Sequence, residues 1–169
     1  MPGNGLCINI YLECNNIISM LTFEDSFEVK TTPEKAYSQV IDMETLVNLV
    51  PDLISHEKIN DEEMKLTAKA GVSFIKGKFD LILDITDKAE NKHITLKGRG
   101  NGSGASVDFT INFQFSGDEN ITKIDWKADM NIVGTAASMG ARMMKSASQK
   151  YITKLVNNYK KALEQEEVN

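Results

Sequence analysis

Few side chains of this sequence combine the residue type and the spacing that catalysis or ligand binding needs. The polar residues that could contact a bound head group are Tyr37, His56, His93, Arg99, Arg142 and Tyr151. The sequence lacks G-x-S-x-G, H-E-x-x-H and any cysteine close to a histidine, the patterns of activated nucleophiles and zinc peptidases. The alternating glycines from Gly100 to Gly104 lead into a predicted strand, whereas a phosphate-binding loop opens a helix. We therefore predict no catalytic residue and no metal site.

Four of these polar residues have an ordinary surface interpretation. His93 and Arg99 fall on the solvated side of the strand predicted over 93–102, and His56 stands beside Glu57, which predicts an exposed ion pair. Arg142 lies at the start of a predicted helix, one position from its apolar stripe. Two interpretations of Arg142 stay open, a place on the helix surface and a polar contact at the mouth of a cavity.

Composition excludes several classes of function. The chain of 169 residues has the length of one domain. Its net charge of −5 and pI near 5.1 disfavour nucleic-acid binding. Cys7 and Cys14 have no histidine nearby, which is a poor zinc signature, so we interpret them as adventitious thiols. No apolar run approaches the roughly 18 residues of a transmembrane anchor. We expect a cytoplasmic protein with at most peripheral membrane contact.

The elements that position these groups are strands with a two-residue period. The clearest lies over 105–115, with the apolar side chains Ala105, Val107, Phe109, Ile111, Phe113 and Phe115. Segments 73–87, 93–102 and 123–132 alternate in the same way. Such alternation predicts an antiparallel sheet with one dry face. From about residue 136 to Leu163 the period changes to 3.6, which predicts one long amphipathic helix packed on that face.

The first half of the chain supplies the remaining elements. A strand is predicted over 20–29, and a short helix follows that Thr32 caps and Pro33 begins. Asp42 caps a second short helix, which Pro51 ends. Strands over 53–59 and 63–70 complete the sheet. The prediction is an α+β fold, in which a seven-stranded antiparallel sheet wraps around a long C-terminal helix, with two short helices after the first strand.

Several segments in this order resemble a known family. They are Leu49-Val50-Pro51-Asp52, Leu96-Lys-Gly98-Arg-Gly100, Trp126-Lys-Ala128-Asp129, and Gly134 through Met139-Gly140-Ala-Arg142. Across residues 20 to 163 they resemble the carbon monoxide dehydrogenase CoxG family of the START/SRPBCC helix-grip superfamily. The resemblance implies a noncatalytic protein that binds a lipid or an isoprenoid quinone, requires no other cofactor, and assists a molybdenum-containing CO dehydrogenase. The chain departs from many relatives by ending soon after the helix, so self-anchoring in a bilayer is not expected.

We expect the ligand between the dry face of the sheet and the long helix. The predicted cavity residues are Tyr37, Met43, Phe79, Leu81, Leu96, Gly98, Gly100, Phe109, Ile111, Phe113, Trp126, Met130, Met143, Met144 and Tyr151. The inward glycines of strand 93–102 either leave room for a ligand or permit curvature of a sheet with a filled core. The methionines around Met143 either form an adaptable cavity wall or fill gaps in the core.

Residues 1–19 lie outside the family resemblance. Met20 stands where a family member ordinarily begins. Residues 1–19 therefore either come from an upstream start assignment or form an extra edge strand or a partner contact. We place the helix-grip domain at 20–165 and a tail at 166–169. A second function also stays open by fold analogy alone, a cyclase or hydrolase for an aromatic polyketide-like substrate. It requires an inward polar residue such as Tyr37 or Tyr151.

Overall fold

The computed structural model describes residues 10–13, 16–70, 77–102, 104–134 and 141–166. The helices are α1 (Pro33–Ile41), α2 (Met43–Asn48) and α3 (Ala141–Glu166). The strands are β1 (Ile10–Glu13), β2 (Asn16–Val29), β3 (Leu53–Lys58), β4 (Glu63–Ala70), β5 (Gly77–Ala89), β6 (His93–Gly102), β7 (Ala105–Gly117) and β8 (Thr122–Gly134). This is the predicted α+β, helix-grip arrangement.

All strands belong to one antiparallel sheet in the order β1-β2-β8-β7-β6-β5-β4-β3. The seven predicted strands are present, and β1 adds the extra edge strand that one interpretation of residues 1–19 allowed. β1 pairs with the start of β2, from Ile10 opposite Ser19 to Glu13 opposite Asn16. The boundary predicted between residues 19 and 20 therefore falls inside β2. Cys7, Cys14, Met139 and the predicted starts at Ser73 and Ala136 lie outside the described residues.

Local capping explains why the two short helices form where they do. The Thr32 side chain accepts a hydrogen bond from Lys35 N at 3.2 Å, and Pro33 occupies the first turn of α1. Asp42 ends α1 and caps α2 through a hydrogen bond from Glu44 N. Both predicted caps are confirmed, and they turn the chain so that α1 and α2 cover one end of the sheet's inner face.

The core lies between the inner face of the sheet and the three helices. α3 has 26 residues and is about 39 Å long. The inner face contributes buried apolar side chains from successive strands, including Leu21 and Phe23 from β2 and Ile124 and Trp126 from β8. α3 contributes Met144, Tyr159 and Leu163, which are 8%, 3% and 1% exposed. The predicted contact between the long helix and the dry face is confirmed.

Candidate functional site

One end of the inner face carries apolar side chains that the core covers only in part. They are Phe79, Leu81, Val107, Phe109, Ile111 and Met130, here called the inner-face patch. The strand register makes the patch continuous, because Gly100 lies opposite both Leu81 and Val107, and Phe109 lies opposite Met130. Toward the other end of the sheet, inward residues of the same strands such as Ile85 and Phe115 are buried. The patch is thus an apolar area of the described inner face that the core covers only in part.

The predicted cavity residues divide into three groups by exposure. The buried ones are Tyr37, Met43, Leu96, Gly98, Gly100, Phe113, Trp126 and Met144. The half-buried ones are Tyr151 and five members of the inner-face patch, namely Phe79, Leu81, Phe109, Ile111 and Met130. Met143 is 42% exposed, because neighbouring residues of a helix point about 100° apart and Met144 takes the inward position. Arg142 is exposed on α3.

The glycines of β6 do not face empty space. A Cβ atom added to Gly98 would lie 2.5 Å from Phe109 Cε1 and Cε2 and closer still to Cζ, so the Phe109 ring occupies the place of the absent side chain. At Gly100 the added atom would meet Leu81 and the Asp80 carbonyl. Of the two interpretations of these residues, the contacts favour close packing of a curved sheet over room for a ligand. Phe109 and Gly98 are cross-strand partners, an arrangement in which an aromatic ring covers a glycine.

Hydrogen bonds tie α3 to the two short helices and the loop that follows them. The Tyr159 hydroxyl donates to Ala36 O at 2.6 Å, and Asn158 Nδ2 donates to Leu49 O at 2.9 Å. The Tyr151 hydroxyl donates to Pro51 O at 3.3 Å. The sequence predicts that Tyr151 faces the ligand, but it does not predict the contact of Asn158. The feature that could have indicated this contact is a polar residue beside the apolar stripe of α3.

Burial sets the protonation state of the two α3 tyrosines. Burial, followed by the nearby charge of Asp52, raises the pKa of Tyr151 to about 12. Burial alone raises the pKa of Tyr159 well above its ordinary value. Both phenols are therefore neutral donors at neutral pH. Tyr37 packs the edge of its ring against Phe115, with ring centroids 5.8 Å apart.

One polar group on the inner face lacks a partner. Trp126 is 7% exposed, and its indole Nε1 has no hydrogen-bond acceptor within the part of the chain that the structure describes. Trp126 lies opposite Phe113 on β7, between Ile124 and Ala128 on β8. The sequence predicted an inward Trp126, but only the packing shows that its N–H is unpaired.

The outer face of the sheet is polar. It contains a concavity of about 600 Å³ bordered by Glu24, Ser26, Asn112, Gln114 and Lys127, and a second of about 430 Å³ bordered by Lys65, Asp80, Arg99 and Asp108. His93 Nε2 lies 3.0 Å from Asp87 Oδ2 at the sheet surface. The ion pair predicted between His56 and Glu57 is absent from the described contacts, because neighbouring strand residues point to opposite faces.

Metal ligation and membrane crossing find no support in the described residues. No set of three or more histidine, cysteine, aspartate or glutamate side chains is arranged to hold a metal ion among them. No helix in the described ranges combines the length and the apolar content needed to cross a bilayer.

Comparison with known proteins adds a family assignment. The profile of the carbon monoxide dehydrogenase CoxG family matches residues 26–164, which is most of the chain. A search of curated proteins finds no match. The match runs from the last residues of β2 to near the end of α3 and includes the inner-face patch and Trp126.

Solved structures share the fold at low identity. A conserved protein from Geobacillus kaustophilus has 23% identity and a TM-score of 0.79 over 86% of this chain and 96% of its own. A START superfamily protein from Mycobacterium smegmatis has 17% identity and a TM-score of 0.64, covering 85% and 97%. The Zhui aromatase/cyclase from Streptomyces sp. R1128 has 11% identity and a TM-score of 0.66, covering 86% and 94%. With these START-like structural neighbours and the family match, the chain belongs to the carbon monoxide dehydrogenase CoxG family.

Proposed function

We propose that this protein is a noncatalytic cytoplasmic carrier that binds an apolar small molecule, a lipid or an isoprenoid quinone, and assists a CO-dehydrogenase-type molybdenum enzyme. The observation that carries the proposal is the inner-face patch, six apolar side chains that neither the sheet nor the described part of α3 covers fully. An apolar guest would complete the burial of this patch. The family match supports the choice of partner enzyme.

The energetics suit a ligand that exchanges. Burial of about 300 Å² of apolar ligand surface contributes about 7 kcal/mol at 25 cal/mol per Å². Association costs at least roughly 4 kcal/mol of that in lost freedom. The remaining binding free energy corresponds to a dissociation constant on the millimolar scale or weaker for this area. A larger guest buries more apolar surface and binds more tightly. Weak binding allows transfer of the ligand to a partner. The shape of the patch, continuous across β5 to β8, fits an elongated or planar guest.

The exposed face of α3 is the surface we assign to the partner enzyme. Six of the 19 lysines and arginines lie between residues 141 and 163, where the chain has no acid. The remaining residues carry 13 basic side chains against 24 acids, so the charge of the molecule is strongly polarised. Arg142, Lys150, Lys154 and Lys161 are exposed. Such a face complements an acidic patch on a partner and speeds association.

Extraction tests the carrier function. The purified protein is extracted with organic solvent, and the extract is analysed by mass spectrometry beside an extract from a mock purification. We expect a lipidic compound that is present in the protein extract and absent from the mock extract, a guest larger than the area used above and therefore bound more tightly. An empty extract, repeated after incubation with membrane lipids, would contradict the carrier function.

Capture of the enzyme tests the partner. Immobilised protein is incubated with extract of its native cells, and the bound fraction is assayed for molybdenum and for substrate-dependent dye reduction. We expect both signals, with loss of both in the variant Lys150→Glu/Lys154→Glu. The matched control Lys65→Glu/Lys97→Glu makes the same charge change on the outer face of the sheet and should retain them. Equal loss in both variants would contradict the assignment to α3.

The alternative of an aromatic cyclase has less support among the described residues. The Tyr151 hydroxyl already donates to Pro51 O. Its pKa of about 12 keeps the phenol protonated at neutral pH, so it cannot act as a general base. Tyr37 is engaged with Phe115 inside the core. Turnover of an aromatic polyketide-like substrate that is lost in Tyr37→Phe or Tyr151→Phe would restore this alternative.

A further inference from the structure

The long strand β2 has an open edge. On one side β2 pairs with β8 along residues 18–29, but on its other side β1 pairs only with residues 16–19. No other strand that the structure describes pairs with residues 20–29. A strand of this length spans about 33 Å. Alternate backbone N–H and C=O groups along it face outward, which is the geometry that accepts an added strand from another chain.

The open edge is acidic. Residues 16–29 include no lysine or arginine, but they include Glu24, Asp25 and Glu28. All three carboxylates are exposed, and none forms an ion pair within the described parts of the chain. Asp25 occupies an inward position of the alternation between Phe23 and Phe27, yet it is exposed whereas both rings are buried. The edge therefore presents negative charge on both faces of the sheet.

The outer-face concavity of about 600 Å³ lies directly beside this edge, since residues 24–26 of β2 form part of its wall. Its lining contains three carboxylates, those of Glu24, Asp25 and Asp125, and one cation, Lys127. Uncharged polar side chains of β7 complete the wall. The excess of carboxylates favours a cationic side chain over an anionic one. A lysine or arginine that projects from a strand added at the edge would meet this concavity.

Charge decides between the possible occupants of the edge. A second copy that paired antiparallel through the same edge would place one acidic strand against another, and like charges directly opposite each other destabilise a sheet. An extended segment with basic side chains has the complementary charge. The acids therefore both oppose self-association and select the partner, because specificity comes from repulsion as well as attraction.

We propose that the open edge of β2, residues 20–29, is a docking site for an extended basic segment of another protein. The segment adds to the sheet as an antiparallel strand, as β1 does at the start of the same edge. Backbone hydrogen bonds supply the pairing, and lysine or arginine side chains opposite Glu24, Asp25 and Glu28 supply the selectivity. This surface is separate from the inner-face patch and from the basic face of α3, so the inference stands or falls independently of the proposed function.

Three acetylated and amidated peptides test the proposal on the full, ¹⁵N-labelled chain. In antiparallel register, the peptide Lys-Val-Thr-Lys-Lys-Val places lysines opposite Glu28, Asp25 and Glu24. The peptide Lys-Pro-Pro-Lys-Lys-Val has the same charge but lacks two neighbouring N–H groups, one of which would face β2 in a paired strand. The peptide Glu-Val-Thr-Glu-Glu-Val reverses the charge.

We expect the first peptide to shift the amide resonances of β2 saturably. It should bind roughly 2- to 10-fold more tightly than the proline peptide, the factor of one backbone hydrogen bond. The acidic peptide should cause no saturable shift. In Glu24→Gln/Asp25→Asn the affinity should fall, because each exposed ion pair contributes a factor of roughly 1.5 to 5. The matched control Glu57→Gln/Glu90→Gln makes the same charge change at exposed positions away from β2 and should retain the affinity.

Amide hydrogen exchange identifies the occupant of the edge. In the free chain, every second amide between residues 20 and 29 should exchange rapidly, and the first peptide should slow these amides. Slow exchange of all of them in the free monomer would mean that residues 1–9 of the same chain cover the edge. The same protection in a dimer detected by light scattering would mean that a second copy does. Either result overturns the proposal.

Two further results would also overturn it. Equal affinity for the two basic peptides would show attraction by charge without strand pairing. Equal loss of affinity in the two variants would show an effect of net charge alone. The comparison of peptides on the unaltered chain keeps the test decisive if either variant fails to fold.

Discussion

The contact between Phe109 and Gly98 gives a quantitative prediction for the variant Gly98→Ala. The new Cβ atom would lie 2.5 Å from two carbons of the Phe109 ring, whereas carbon atoms pack at about 3.5–4.0 Å. The Cζ atom would lie closer still, so the ring must move by clearly more than about 1 Å, away from the strand that it covers. Overpacking of this kind costs about 1–3 kcal/mol. An alanine is otherwise preferred to glycine in a strand by about 0.5–1 kcal/mol, so we expect a net loss of about 0.5–2 kcal/mol.

A double-mutant cycle isolates the contact. In a Phe109→Ala background the ring is absent, and Gly98→Ala should then be neutral or stabilising by up to about 1 kcal/mol. The coupling free energy between the two positions should therefore be about 1–3 kcal/mol. Phe79→Ala is the matched control background, since Phe79 is also half-buried in the inner-face patch but lies beside Gly102, and there the cost of Gly98→Ala should be unchanged.

The assay is equilibrium unfolding in urea, followed by the fluorescence of Trp126 and by circular dichroism. Coincident transitions from the two probes support two-state analysis. A coupling free energy below about 0.5 kcal/mol would refute the reasoning, because that is the range in which distant, independent substitutions add. It would mean that the Phe109 ring moves without cost and that the close packing of β6 against β7 contributes nothing to stability.

Three further predictions concern α3. Tyr159→Phe removes the buried hydrogen bond to Ala36 O and should lower the free energy of unfolding by about 0.5–1.5 kcal/mol, measured by the urea midpoint with unchanged slope. Because the folded-state pKa of Tyr151 is raised to about 12, its contribution to stability is complete below pH 10 and is lost as the pH rises from 10 to 12. Tyr151→Phe should reduce that alkaline loss, and an identical pH dependence would contradict it. Association of Lys150→Glu/Lys154→Glu with the partner enzyme should be weaker and less sensitive to salt, and unchanged salt dependence would contradict a role for these lysines.

Much of the fold could be predicted because its signals are local. The two-residue period of β5 to β8, the caps at Thr32 and Asp42, and the change to a 3.6-residue period before α3 each depend on residues close together in the chain. The edge strand stayed one of several interpretations, since the short segment Ile10–Glu13 is a strand through its pairing with β2 and carries no long alternating pattern of its own. Pairing is a long-range property that composition does not reveal.

The site was predictable in its location and less so in its details. Alternation identified the inward residues of β5 to β8, and five of the residues predicted to line a cavity lie in one half-buried patch. The glycines of β6 needed tertiary information, because a glycine leaves room only when no neighbour fills the space, and Phe109 and Leu81 do fill it. Met143 and Met144 have the same side chain, so residue type could not tell them apart. The rotation of α3 about its own axis decides which of the two is buried.

The sequence by itself determined the fold class, the family resemblance, the inward set of side chains and the polarised charge of α3, since each depends on residue type and spacing along the chain. Only the tertiary structure decided which apolar residues stay partly uncovered, which glycines are covered, and that the Trp126 N–H is buried without a partner among the described residues. The physical reason is that exposure and hydrogen bonding depend on what lies opposite a side chain. In an antiparallel sheet under a long helix, that neighbour comes from a distant part of the chain.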